Sequence, residues 1–394
     1  MTRFVRPTLF VLVALSFLLA ACGTPATPVT VVQTQVVNQV VTATPDMSQP
    51  TPLPAGSVQI NGAGSTFQQP AMSDWAYAYP LIDPSVVINY QGVGSGAGKK
   101  AIIGNTVDFA GSDSVLTADE TTQGKDLQIF PILAGAVVIM YNIPELDPTK
   151  DPVVILNGQA LVDIYNGKVT KWNDPEITAL NPQIAAKLPA KQITVVHRSD
   201  GSGTTEIFTN ALTAFSSDWT AGHGTTVDWP ADKTGNGIGG KGSQGVSAVV
   251  QNTPYAIGYV EYSFAKANGI SFAQMVNKAG KTVTAGPDSV ASAMNDFANA
   301  FTPALTAVIV NGGGDGSWPI TGYTYDIIHT TSMTDCVKAQ KMLEFFHWFL
   351  TDPSATKRAT ALGFVPLPDA VLQQVEAALG KVTCNGQPVT IMTK

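Results

Sequence analysis

The chain has 394 residues, 44% of them hydrophobic and only 13% charged, with a formal net charge of −7. No basic stripe of the kind a nucleic-acid binder carries is visible, and an acidic chain that takes up an anion must do so through local dipoles and a well-placed cation rather than global attraction. The 3 cysteines and 4 histidines lack metal-ligand spacing, so neither a metal nor a cofactor is expected.

At the start, Arg3 and Arg6 precede an apolar run that opens Leu9-Phe10-Val11 and, broken only by Ser16, ends Leu19-Ala20-Ala21-Cys22. The run is short for a spanning helix, which needs about 20 apolar residues, and small residues before a cysteine suit cleavage. Residues 1–21 therefore read as a bacterial lipoprotein signal peptide, with an uncleaved signal anchor as the alternative. Cleavage makes Cys22 the lipid-carrying N-terminus. Residues 22–56, rich in Thr, Pro, Val and Gln with almost no charge, read as an extended tether. The remainder suits one large or two medium domains.

The folded part opens with the first of three Gly/Ser-rich segments, Asn61-Gly62-Ala63-Gly64-Ser65-Thr66, followed by a helix over Ser73–Tyr79. A strand Val86–Tyr90 leads into the second, Gly92-Val93-Gly94-Ser95-Gly96-Ala97-Gly98. Val107-Asp108-Phe109-Ala110-Gly111-Ser112-Asp113 then places a carboxylate after a small-residue strand end. A strand Ala136–Tyr141 and a helix Leu161–Tyr165 come next. The strand Ile193–Val196 runs through Arg198 into the third segment, Asp200-Gly201-Ser202-Gly203-Thr204-Thr205, and a helix Glu206–Phe215. A strand Ala256–Val260 and a helix Ala339–Leu350 complete the pattern, with Phe345-Phe346-His347-Trp348-Phe349 read as helix core. Such alternation predicts α/β domains with ligand sites at the C-terminal ends of strands. Each glycine-rich segment alone is ordinarily a turn or a helix cap. Three of them, each able to present unpaired N–H groups at a helix N-terminus, point to an oxyanion, and Arg198 adds a planar fork of donors.

These segments, in this order, resemble the phosphate-binding proteins of bacterial phosphate-specific ABC transporters, which are type II solute-binding proteins. The resemblance runs from Ser57 to the last residues. It also takes in Asn89-Tyr90-Gln91, Gly239-Gly240-Lys241-Gly242, Ala256-Ile257-Gly258-Tyr259-Val260-Glu261-Tyr262 and Trp318-Pro319-Ile320. It implies an α/β two-lobed periplasmic-binding-protein fold, each lobe a mixed β-sheet flanked by helices, with the ligand in the interlobe cleft. One lobe would comprise 57–133 plus 318–394, the other 134–317. Thr66 would give a hydroxyl and Phe67 a backbone N–H to phosphate, Ser95 would contribute from the second loop, and Arg198 would be the cation, held by Asp200. Ser202, Gly203 and Thr204 would close the cradle, Ser65 would support it, and Asp113 would accept the proton of the ligand. The implied partners are inorganic phosphate, the permease subunits and ATPase of an ABC importer, and the membrane through lipid on Cys22. The implied molecule is an exported monomer on the outer face of the bacterial cell membrane, and not an enzyme. Gly96 stands where many relatives have a second serine, and His197 where a basic residue is common.

The role of Asp113 follows from chemistry as well. Phosphate at neutral pH still carries a proton to donate; sulfate can only accept. Against sulfate a buried Asp113 would be a carboxylate without a donor, a loss of roughly 1–3 kcal/mol or more, and sites built on a required hydrogen bond reject analogues lacking it by about 10⁴-fold. Arsenate, protonated like phosphate, is not excluded, and a sensor not tied to a permease is a further alternative. Gly235-Asn236-Gly237-Ile238-Gly239-Gly240-Lys241-Gly242 imitates a nucleotide-binding loop but has Gly242 where Ser or Thr should hold magnesium. A phosphatase would need a nucleophile with a base, or paired metals, and neither stands out. Cys336 and Cys384 remain. In an exported protein they read as a disulfide closing a loop of about 49 residues, contributing on the order of 3–4 kcal/mol, with two buried free thiols as the alternative.

Overall fold

The computed structural model describes residues 56–392. The signal sequence, Cys22 and all but the last residue of the tether lie outside the described residues. Nine strands form one mixed sheet: β1 (Val58–Gly64), β2 (Val86–Gly92), β3 (Phe109–Ser112), β4 (Leu127–Tyr141), β5 (Thr194–Arg198), β6 (Gly237–Gly240), β7 (Ala256–Glu261), β8 (Thr321–His329) and β9 (Val365–Pro366). Their spatial order is β2-β1-β3-β8-β4-β7-β5-β6, with β9 on β4.

The sheet has two parallel wings joined by antiparallel strands. β1 pairs in parallel with β2 and β3, and β5 with β6 and β7. Between them β4 is shared. Its residues 127–136 pair antiparallel with β8, and Val137–Tyr141 pair antiparallel with β7. Ile129–Tyr141 are buried without a break, because both faces of this strand are covered, so alternation is absent. Pro131 lacks an N–H for the ladder, and the pairing of β4 with β8 slips where it stands, between Thr324 and Tyr325.

Four helices start just after parallel strands of the wings: α1 (Gln69–Ala78) after β1, α2 (Ser95–Ile103) after β2, α3 (Gly203–Phe215) after β5 and α4 (Gly242–Asn252) after β6. Their N-termini consequently lie at the C-terminal ends of those strands. α5 (Cys336–Thr351) is the aromatic helix. Phe345, Phe346, Trp348 and Phe349 are buried, and Phe349 stacks on Trp75 of α1 at 4.5 Å. His347 sits at the rim of this core, its Nδ1 2.6 Å from Glu376. A disulfide joins Cys336, the first residue of α5, to Cys384 near the C-terminus, so neither is a free thiol. No helix among the described residues is long and apolar enough to cross a membrane.

Candidate functional site

The N-termini of α1, α2, α3 and α4 converge, two from each wing. Ser95 Oγ, at the start of α2, accepts from the backbone N–H of Gly203 at the start of α3 (3.1 Å). Thr66 Oγ1, leading into α1, accepts from the backbone N–H of Ser243 in α4 (3.2 Å) and lies 2.8 Å from the Ser243 hydroxyl. Arg198 Nη1 donates to the same Thr66 oxygen at 3.2 Å. Gly96 N–H donates to the Gly201 carbonyl at 2.9 Å. The partial positive end of each helix dipole suits such a junction to an anion.

Close approach dictates the glycines here. Gly94 has φ +94°, and a Cβ on it would stand 2.3 Å from Asp200 Oδ2. A Cβ on Gly203 would fall 2.6–2.7 Å from the Asp113 backbone and Cβ, so only glycine lets α3 meet the loop after β3.

Arg198 is nearly buried at the end of β5 and is gripped by Asp200 through two bonds, Nε to Oδ1 (2.8 Å) and Nη2 to Oδ2 (2.6 Å). Gly242 N–H also donates to Asp200 Oδ1 at 2.9 Å. Burial acts to raise the pKa of Asp200, but the bonds and charge of Arg198, together with backbone N–H donors including that of Gly242, outweigh it and hold that carboxyl below its usual value. Fork-to-fork pairing fixes the guanidinium plane and leaves Nη1 aimed at Thr66.

Asp113 is 5% exposed, and burial pushes its carboxyl up to about 6 against the opposing effects of Ser65, Thr324, Arg198 and Ser95. Its two oxygens differ. Oδ1 receives the Ser65 hydroxyl (2.5 Å) and lies 2.8 Å from the Thr324 hydroxyl, whereas Oδ2 has only the long Ser95 contact of 3.4 Å. Oδ2 therefore keeps lone-pair capacity for a further donor. The Thr204 hydroxyl, on the first turn of α3, is buried without a hydrogen-bond partner.

The residues expected at the site thus adjoin one another, with two differences in detail. The Phe67 N–H donates to Ser65 Oγ at 2.9 Å, and Ser202 Oγ caps α3 by accepting from Thr205 N–H at 3.1 Å. Ser243, Gln68 and Thr324 join the site without being expected from the sequence. For Ser243 a signal exists: Gly239-Gly240-Lys241-Gly242-Ser243 is a fourth small-residue run before a helix, and it follows a strand, β6, whose sparse side chains conceal it.

With this geometry in hand, the class of the protein is plain. Residues 49–353 match the PBP superfamily domain, and the chain belongs to that superfamily. Within it, the chain is 40% identical over 321 residues to the phosphate-binding protein PstS of Pasteurella multocida, covering 81% of this chain and 89% of that one. It is 35% identical over 332 residues to the PstS of Methanocaldococcus jannaschii, with 80% and 84% covered. It belongs to the same family as these proteins. A solved structure of a high-affinity periplasmic phosphate-binding protein, PfluDING, with phosphate bound, is 25% identical, covers 81% of this chain and 93% of that one, and superposes with a TM-score of 0.65. The fold is accordingly the mixed α/β, type II arrangement.

Proposed function

We propose that this protein binds inorganic phosphate outside the cytoplasm and hands it to the permease of an ABC importer. The observation that carries the reading is the pairing of Asp113 with Arg198 at the convergence of four helix N-termini. The guanidinium and the N–H groups suit an oxyanion, and the uncommitted Oδ2 suits one that still carries a proton. Thr66, Phe67, Ser95, Arg198, Ser202, Gly203 and Thr204 are the proposed donors and Asp113 the acceptor, with Ser65 holding Asp113 and Asp200 holding Arg198 in place. The buried, unpartnered Thr204 hydroxyl supports this assignment. Membership of the PstS family supports both the ligand and the permease.

Two lobes, 57–133 plus 318–394 and 134–317, hinge in this reading near the point where β4 exchanges β8 for β7. Donors from both sides favour a closed form in proportion to the ligand's preference for it. The protein is proposed as a binder rather than a catalyst. Apart from that of Thr204, the hydroxyls at the site bond to each other, to a carboxylate or to backbone N–H groups, while His197, beside Arg198, has its ring nitrogens on the Arg198 carbonyl and Asp232. A lipid on Cys22 would anchor this monomer to the outer face of the cell membrane.

Calorimetric titration of the soluble body, stripped of bound ligand, with phosphate, arsenate and sulfate tests the reading. Micromolar or tighter phosphate binding, about −8 kcal/mol or better, with no uptake of sulfate is expected. Equal affinity for sulfate would overturn it.

A further inference from the structure

Behind Asp113 lies a second carboxylate for which the site as described has no use. Asp326 on β8 is fully buried; its Oδ1 accepts from Gln68 Nε2 at 2.8 Å and its Oδ2 has no partner. Gln68 and Thr324 are also fully buried. The Thr324 hydroxyl lies 2.6 Å from Gln68 Oε1 and 2.8 Å from Asp113 Oδ1, so Asp326, Gln68, Thr324 and Asp113 form one hydrogen-bonded chain.

Counting protons restricts what this chain can be. The Thr324 hydroxyl has a single hydrogen for two oxygen neighbours. If it donates to Asp113, the Gln68 group facing it must be a donor, so the amide presents its NH₂ to Thr324 and its carbonyl to Asp326. The two ends of an amide are interchangeable in shape, and the hydrogen-bond network decides which way it lies. A carbonyl facing Asp326 then requires Asp326 to donate, which only a protonated carboxyl can do. With that proton in place every donor in the chain points toward Asp113, and Asp113 stays an ionised acceptor. An ionised Asp326 would instead be a buried charge with one hydrogen bond, a costly arrangement.

We propose that Asp326 is a positioning residue which, by carrying one proton, polarises the chain through Gln68 and Thr324 so that Asp113 remains an acceptor for the proton of the bound oxyanion. The proposal rests on the reading of Asp113 as the ligand's acceptor. Burial raises both carboxyls, Asp326 to about 7 and Asp113 to about 6, and only Asp113 has a nearby cation, Arg198, opposing the rise. Other titratable and charged groups act on the pair. Tyr90 of β2 and Tyr325 of β8 are raised above their ordinary value chiefly by burial and stay neutral. Arg198 of β5 favours an ionised Asp113. Glu206 of α3 and Glu261 of β7 are pushed by burial to about 7 and about 8, and Lys99 of α2 opposes the rise at Glu206.

The test is proton uptake on phosphate binding, measured by calorimetry at pH 8.5 in buffers of different ionisation enthalpy, for the parent and Asp326→Asn. The substituted amide would supply its own permanent donor to Gln68. The parent is expected to take up more protons per phosphate than the variant, by as much as one, and the ratio of parent to variant Kd should rise several-fold from pH 7 to pH 9; phosphate's own ionisation cancels in that ratio. Thr324→Val, which cuts the chain, should abolish the parent's extra uptake and serves alone if Asp326→Asn fails to fold. Identical proton uptake in parent and both variants overturns the chain alone. Failure of the parent to bind phosphate overturns the functional reading and the chain with it.

Discussion

In the proposed reading selectivity falls to Asp113, because its Oδ1 is saturated by Ser65 and Thr324 while its Oδ2 is not. Asp113→Asn replaces an acceptor by a group that also donates. Discrimination between phosphate and sulfate should fall by at least ~10-fold, or ~1.4 kcal/mol, in competition calorimetry; unchanged selectivity would remove Asp113 from the role. Ser65, Thr66, Ser95, Asp113 and Arg198 are legible in the sequence because each lies in or beside a Gly/Ser run after an apolar stretch. Gln68, Thr324 and Asp326 are not. Thr324 and Asp326 sit in a strand buried on both faces, where a polar residue among aromatics gives no local signal. Only the antiparallel pairing of β8 with β3, Tyr325 opposite Ser112 and Asp326 opposite Gly111, brings them behind the site.

At the scale of elements, the four helix N-termini depend on glycine for their approach, and Gly203 is the sharpest case. Gly203→Ala inserts a Cβ where the Asp113 backbone lies 2.6 Å away, so α3 must withdraw from the loop after β3. Helix α3 itself tolerates alanine. Phosphate affinity should therefore drop at least ~10-fold, or ~1.4 kcal/mol, by calorimetry while the melting temperature stays nearly constant; equal loss of both would mean that the glycine serves folding. The helices α1, α3 and α5 are readable from their patterns, as are β2, β5 and β7. The first half of β4 is not, since Pro131 argues against a central strand and the continuous apolar run has no period. β6, Gly237-Ile238-Gly239-Gly240, has too few side chains to look like a strand at all.

For the whole molecule, buried carboxyls set the response to pH. Burial raises Asp113 to about 6, Asp326 to about 7 and Glu261 to about 8, from ordinary values of 3.8, 3.8 and 4.5. Between about pH 4 and 8 the folded protein thus holds more protons than the unfolded chain, and stability falls as pH rises through that window. Asp126, Asp147 and Asp200 are lowered instead and act only below about pH 4, where their unfolded counterparts protonate. The denaturation midpoint of the ligand-free protein in urea should be higher at pH 5 than at pH 8.5; the reverse order would show that these carboxyls are not protonated in the fold. The buried Arg198–Asp200 pair carries a different consequence, for rates. Its charges cancel locally, so salt has little purchase on a seated anion, whereas the full chain, with its formal charge of −7, repels an arriving one. Added salt should therefore quicken capture and leave escape untouched, making this a receptor that fills faster in brine than in fresh water.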